Sequence, residues 1–333
     1  MSGLNAEAYL PELFASLDRQ TLPPAEIILV DSSSSDHTAK IVRARKGPIP
    51  IVHKKVDFAY PGRARNIGVQ VAHGAWIAFI DCRTIPRPEW LEMCMEAARR
   101  SSGHWVGGLC VSESATSFGR MLQAVTYGHK PWVTLPGSLV SKDAFERIGG
   151  FEPDVRAGED LEWMERASTQ ERTATVPEPT IRYSGFPRTL GQAVKKWHRY
   201  ALANATIEVR NNQKNLYLAI FIMVILFMAY RWNATFAPSE QDVFYLPNVT
   251  KISAACVALV YMAYRGIFRP AAVDVATSYV LPWRWIALGF IAICLDLAKA
   301  PGLIWGSLLL LKRRIWSLVV RWKGLAPWFG RSK

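Results

Sequence analysis

The sequence predicts an α/β fold in its first half and an α-helical membrane region in its second. Glu26-Ile27-Ile28-Leu29-Val30-Asp31 and Trp76-Ile77-Ala78-Phe79-Ile80-Asp81 are apolar runs that each end in Asp. Such runs read as buried strands, and in an open α/β sheet the carboxyl ends of the strands border the ligand crevice. Asp31 and Asp81 are therefore candidates for holding a polar ligand. Beyond Asn215 the composition changes to long apolar tracts interrupted by a few charges.

The elements follow in order. After the first Asp-ended strand, Asp31-Ser32-Ser33-Ser34-Ser35-Asp36-His37-Thr38 is small and polar and runs into a helical pattern through Ala39, Ile41 and Val42. A strand, a short loop and a helix start make a place where backbone N–H groups meet an anion. After Asp81 the prolines of Cys82-Arg83-Thr84-Ile85-Pro86-Arg87-Pro88-Glu89-Trp90 end the strand, and the stretch to Arg100 has helix-forming composition. Glu159 and Asp160 precede a helix over 161–168, where acidic residues suit the helix dipole.

In this order the pieces resemble the family 2 glycosyltransferases, from about Asn5 to about Ala203. Residues 10–20 resemble that family's first helix, residues 31–38 its polar "VDDGSTDGT" loop, and Gly62-Arg63-Ala64-Arg65-Asn66-Ile67-Gly68 its "ARNxG" segment. Asp81-Cys82-Arg83 stands where the family has its DxD motif, and Gly149-Gly150-Phe151 with Gly158-Glu159-Asp160 resembles its "GGFDE…ED" segment. The resemblance implies a GT-A fold and inverting transfer of a sugar from a nucleotide sugar. It implies Asp160 as the base that takes the acceptor proton, with Glu159 beside it. It further implies Asp31, Ser33, Asp36, Arg63, Arg65, Asn66, Asp81 and Arg83 around the donor, and His129, Trp132 and Trp197 on the acceptor side.

Two departures bear on these expectations. No apolar run precedes the first helix, so the domain is expected to lack its first strand. The DxD analogue ends in Arg83, which weakens a Mg or Mn site at Asp81, because a hard cation prefers carboxylates. Arg83 offers instead a guanidinium fork for phosphate. Plainer readings of these residues stay open: Asp31 as a cap, Asp81 as a turn residue, Arg63 and Arg65 as solvated charges, and Glu159-Asp160 as a charged first turn.

The six histidines show no zinc-ligand spacing. Five scattered cysteines read as reduced thiols, which together with the lack of a signal peptide puts the catalytic part in the cytoplasm. The sequons at Asn233 and Asn248 matter only in a secretory lumen.

The expected organisation is a catalytic domain over 1–188, a basic amphipathic helix within 189–214, a membrane region over 215–311 and a basic tail over 312–333. Spans are expected at about 216–232 and 252–268. A third apolar tract, 285–311, is interrupted by Asp296, Lys299, Pro301 and Gly302. The tail holds seven basic residues and no acidic one, so the positive-inside rule favours a tract that dips in and returns at Pro301-Gly302 over a full third span. The tail and the cluster around the basic helix account for the whole formal excess of +13. That charge sits beside membrane segments, which points to anionic lipid and away from nucleic acid. Gln192-Ala193-Val194-Lys195-Lys196-Trp197 departs in spacing from the QxxRW motif of processive synthases.

These readings converge on a multi-pass inner-membrane glycosyltransferase acting on a lipid-linked or glycan acceptor. A non-catalytic relative serving as a membrane scaffold or partner subunit is the alternative. A transporter is disfavoured, since few spans leave little room for a substrate path.

Overall fold

The computed structural model describes residues 1–204, 222–223, 226, 230 and 232–325. The chain divides into two compact units, Met1–Leu190 with Ala263–Ala292, and Gly191–Met262 with Ile293–Lys333.

The first unit carries both sheets. β1 (Ser2–Gly3), β2 (Ile27–Ser32) and β3 (Ile51–Val56) form a parallel sheet in the order β1-β2-β3. α1 (Leu10–Asp18) places Leu10, Leu13, Phe14 and Leu17 on one helical stripe, and all four are buried with Ile27 and Leu29. Burying each of these side chains stabilises the fold by about 1.5–3 kcal/mol before the entropy of ordering is counted. α2 (Thr38–Ala44) and α3 (Pro61–Val71) complete this half; proline at the start of α3 loses no hydrogen bond there.

The second sheet is mixed. β4 (Trp76–Ala78), β5 (Thr84–Pro86), β6 (Trp105–Ser112), β7 (Trp132–Ser141) and β9 (Ile181–Tyr183) run in the order β4-β7-β6-β9-β5, and β8 (Thr173–Thr175) pairs with β6. α4 (Trp90–Ser101), α5 (Ser117–Val125), α6 (Lys142–Ile148) and α7 (Glu159–Gln170) are the intervening helices. Phe79, Phe145, Phe151 and Trp163 make one aromatic cluster with ring centroids 5.0–6.1 Å apart, and the Trp163 indole donates to the Gly149 carbonyl at 2.8 Å. A buried indole needs such a partner. The cluster fixes the start of α7 against the strands.

The expected absence of a strand before α1 is corrected: Ser2 and Gly3 pair with Val30 and Asp31. Two small residues carry no apolar pattern, so the strand is invisible in sequence. It is short, and a cavity of about 300 Å³ lies between the open edges of the two sheets, lined by Met1, Ile27, Ile28, Trp76, Ile77 and Phe79 among others. The Met1 amine donates to the Ile28 carbonyl at 2.8 Å, and burial lowers its pKa.

In the second unit α8 (Leu190–Asn204) forms where a helix over 192–209 is predicted; residues 205–209 lie outside the described residues, as does most of the expected span 216–232. Two stretches, Asn248–Ala271 and Arg284–Gly302, are long and apolar enough to cross a membrane by length and composition. The turn expected at Pro301-Gly302 does not form. One helix runs from Arg284 to Leu325 with Pro301 inside it. An interior proline costs about 3 kcal/mol in a helix, but reversing the chain there would leave several more backbone groups without their helical partners. Asp296 accepts hydrogen bonds from Lys299 Nζ at 3.0 Å and Tyr261 Oη at 2.9 Å, which neutralises the charge inside this unit.

The cavity yields a prediction. Placing Val-Ile-Val ahead of Met1 would continue β1 beside Ile28, Ile27 and Glu26 in the parallel register of Ser2 with Val30. The extended chain should melt several degrees higher than the parent, and one extended by Asp-Gly-Asp should not. Equal melting points in differential scanning fluorimetry would show that the slot accepts no strand.

Candidate active site

Two clusters form at the carboxyl ends of the strands, on either side of β1. The first surrounds Asp31, buried at the end of β2. Its Oδ1 accepts from the Ser34 N–H at 2.9 Å, and its Oδ2 lies 3.3 Å from His53 Nε2 on β3. Ser33 takes a left-handed conformation, φ +56°, and its hydroxyl donates to the Val56 carbonyl at 2.8 Å. A non-glycine residue there is uncommon and is held by its surroundings. Asp36 accepts from the N–H groups of Thr38 and Glu7, both at 3.0 Å, and Asn5 Oδ1 accepts from the Ser35 N–H at 2.9 Å. The polar loop is thus tied by side chains to the segment just after β1.

The second cluster is centred on Arg65 of α3. The side chain is buried, and Nη1 donates to Glu159 Oε1 at 2.6 Å while Nη2 donates to Asp81 Oδ1 at 3.2 Å. The guanidinium also lies over the Phe151 ring, 5.5 Å from its centroid. Burial works against the charged guanidinium, but the carboxylates of Asp81, Glu159 and Asp160 outweigh it and raise the Arg65 pKa. The group therefore stays a cation under any working condition.

Glu159 and Asp160 begin α7 behind Gly158, whose φ of +91° suits glycine. Burial pushes the Glu159 carboxyl above its ordinary range; Arg65 opposes this and Asp160 adds to it. Glu159 Oε2 is buried and has no hydrogen-bond partner among the described residues, which adds to the cost of ionising the group. Asp160 is only partly screened from water at its surface, yet surrounding protein raises its pKa, with Arg65 opposing and Asp81 reinforcing. Its Oδ1 accepts from the Leu161 N–H at 2.9 Å. Both folded pKa values lie above the unfolded ones. Their contribution to stability is therefore complete below the ordinary carboxylate range and is lost as pH rises through the raised values.

The other expected residues divide. Asn66 uses its side-chain amide on backbone, donating to the Phe151 carbonyl and accepting from the Phe151 N–H, both at 2.8 Å, and so clamps Gly149-Gly150-Phe151. Arg63 pairs with Asp154 at the surface. Arg83 is exposed, with its guanidinium 5.5 Å from the Tyr9 ring centroid. Trp132 stacks on Tyr127 at 4.9 Å. His129 Nδ1 is 3.2 Å from Gln123 Nε2, and the His129 N–H donates to the Val273 carbonyl at 2.8 Å. Trp197 belongs to the second unit, where Lys196 Nζ lies 5.3 Å from its ring centroid. His53 and Val273 escaped the sequence reading. His53 had a faint signal in its place on a strand parallel to β2; Val273 had none.

Strands whose carboxyl ends carry a polar loop on one side and three carboxylates around a buried arginine on the other have the architecture of the GT-A glycosyltransferases. Residues 3–150 match the family model "Glycosyl transferase family 2", and that part of the chain is a family 2 glycosyltransferase domain. The glycosyltransferase AglE of Haloferax volcanii is 25% identical over 193 residues, which are 54% of this chain and 63% of that protein. The succinoglycan biosynthesis protein ExoO of Rhizobium meliloti is 31% identical over 127 residues, 38% of this chain and 36% of that one. The chain thus spans under two thirds of the length of these relatives. Among solved structures, the mannosyltransferase PcManGT of Pyrobaculum calidifontis, in complex with GDP-Man and Mn2+, superposes with a TM-score of 0.51 at 16% identity, covering 90% of this chain and 85% of that one. At that identity the likeness is one of fold.

The residues present do not build a carboxylate metal site. Asp81 already shares Oδ1 with Arg65, Arg83 stands where a second carboxylate would be needed, and no cluster of three His, Cys, Asp or Glu side chains suited to a metal occurs among the described residues.

The Arg65 bridge makes a direct prediction. Arg65→Gln leaves Glu159 buried without its cation, and breaking a buried ion pair costs about 3–5 kcal/mol. Chemical unfolding of the detergent-solubilised chain should show that loss. A variant as stable as the parent would mean that the bridge is incidental.

Proposed function

We propose that the chain is a membrane-anchored, inverting glycosyltransferase of the hexosyltransferase type. It moves one sugar from a nucleotide sugar to a lipid-linked or glycan acceptor at the cytoplasmic face of the inner membrane, in the synthesis of a cell-surface polysaccharide, glycolipid or glycoprotein glycan. The observation that carries the reading is the union of Asp81, Arg65, Glu159 and Asp160 in one cluster beside the polar loop. The class named by the relatives and the two membrane-length helices support it.

Inverting transfer is an in-line displacement at the anomeric carbon. The acceptor hydroxyl must lose a proton on the face opposite the departing diphosphate. Asp160 is the base in this reading. Its raised pKa makes it a better proton acceptor than a free carboxylate, while Glu159, held by Arg65, fixes the start of α7 and with it the base. Asp31 and the loop it ties border the nucleotide. Arg83 adds a guanidinium for the diphosphate, which gains negative charge as the sugar leaves.

Calorimetric titration of the purified chain with UDP, GDP and dTDP should show tight binding of one of them, and Arg83→Ala should weaken it at least tenfold. Binding that vanishes with chelator would transfer the diphosphate role from Arg83 to a metal. Failure of all three to bind the folded chain would favour the scaffold reading. Asp160→Asn should bind nucleotide as the parent does and lose at least a hundredfold in transfer. Wild-type turnover would remove Asp160 as base. The profile of kcat/KM against pH should fall toward acid with a midpoint above the ordinary Asp value of about 3.9, because the base works only when ionised and its pKa is raised. A midpoint at or below that value would contradict the role.

A further inference from the structure

The connection between the two membrane-length helices does not hang free of the catalytic unit. Residues Ala263–Ala292 belong to that unit. The carbonyl of Val273 accepts from the His129 N–H at 2.8 Å and from the Lys130 N–H at 3.2 Å. Gly128, at φ +66°, approaches so closely that a Cβ there would lie 2.2 Å from the Val273 carbonyl oxygen. Nearby, a Cβ on Gly266 would lie 2.2 Å from the Trp285 carbonyl oxygen, so the end of the first stretch and the start of the second are packed backbone to backbone. The connection is a fixed part of the domain at the loop that carries His129.

Its side chains divide in an unusual sense. Pro270, Val273, Val275, Val280 and Leu288 are buried against the unit. Exposed in the same segment are Phe268 at 64%, Leu281 at 42% and Trp283 at 76%, together with Arg269 and Arg284. Large apolar groups set together at a surface cost free energy in water. Tryptophan and arginine side by side, apolar inward and polar outward, are the composition of a membrane–water interface.

We infer that this surface of the catalytic unit docks in the lipid headgroup layer, with Phe268, Leu281 and Trp283 among the upper acyl chains and Arg269 and Arg284 against lipid phosphates. The occupant is the bilayer because the patch lies where two stretches of membrane-spanning length and composition meet their connection: Phe268 and Arg269 at the end of the one that closes at Ala271, Leu281 and Trp283 in the connection, and Arg284 at the start of the other. Its charge is complementary to lipid phosphate. The docking holds the His129 loop at the membrane surface, where a hydroxyl or phosphate on a lipid carrier would arrive. The inference rests on the membrane reading given under Proposed function and specifies the edge by which a lipid-borne acceptor enters.

Site-directed spin labelling of the full chain in nanodiscs of phosphatidylcholine and phosphatidylglycerol tests it. Cys82, Cys94 and Cys110 are buried with thiols pushed up to about 12, so they resist labelling, and Cys256 and Cys294 are replaced by Ser. Labels go at Leu281→Cys, Trp283→Cys, Val257→Cys in the first apolar helix and Thr169→Cys at the far end of α7. Labels at 281 and 283 should be relaxed more by oxygen than by a water-soluble nickel chelate, and the label at 169 should show the reverse. If 257 reports lipid while 281 and 283 match 169, the docking is wrong and the membrane reading stands. If 257 also reports water, both fall.

Discussion

The catalytic unit depends on one buried cation. Arg65 reaches from the middle of α3 to Glu159 at the start of α7 and to Asp81 just beyond β4, three places far apart in the chain. Taking a guanidinium and carboxylates out of water costs several kcal/mol per ion, so the arrangement persists only because each charge finds a partner in good geometry. The strength of this bridge is spent on position more than on stability. It makes the start of α7 and the end of the β4 segment move as one body, and Asp160 inherits its place from Glu159.

Neutral contacts complete what the charge begins. Asn66, one residue after Arg65, clamps the backbone of Phe151, and the Trp163 indole holds the Gly149 carbonyl. Helix α3, the Gly149-Gly150-Phe151 turn and α7 are therefore joined by side chains that bind main chain. Such contacts fix a backbone path regardless of the neighbouring residue types. On the other side of β1, Asn5, Glu7 and Asp36 do the same for the serine loop.

How much of this could be read from the chain depended on the range of the interaction concerned. Asp31 and Asp81 announced themselves because a local apolar run ending in Asp has few other meanings in an α/β protein. Helices α2, α4 and α7 followed from local composition for the same reason, whereas nothing local announced α3, α5 or α6. The placing of Asn66 in a functional segment came from resemblance, yet its contact with Phe151 joins residues 85 apart in the chain and has no local signature. The turn expected at Pro301-Gly302 failed because local propensity is weak beside the need to satisfy backbone groups. β1 was missed because two residues cannot show a period. The attachment of Val273 to the His129 loop depends wholly on the tertiary fold.

The order of strands in the second sheet carries a consequence for how the molecule comes into being. β6 lies between β7 on one side and β8 and β9 on the other, all of which follow it in the chain, while β5 is joined to the sheet only through β9. On a ribosome the parallel sheet of β1, β2 and β3 has all its strands once Val56 has emerged. The mixed sheet must wait for Tyr183 before its last pairings exist. Until then β5 and one edge of β6 are exposed strands in search of partners, and loop-closure entropy makes their eventual pairing slow. The apolar tracts of the second half are translated only after that moment.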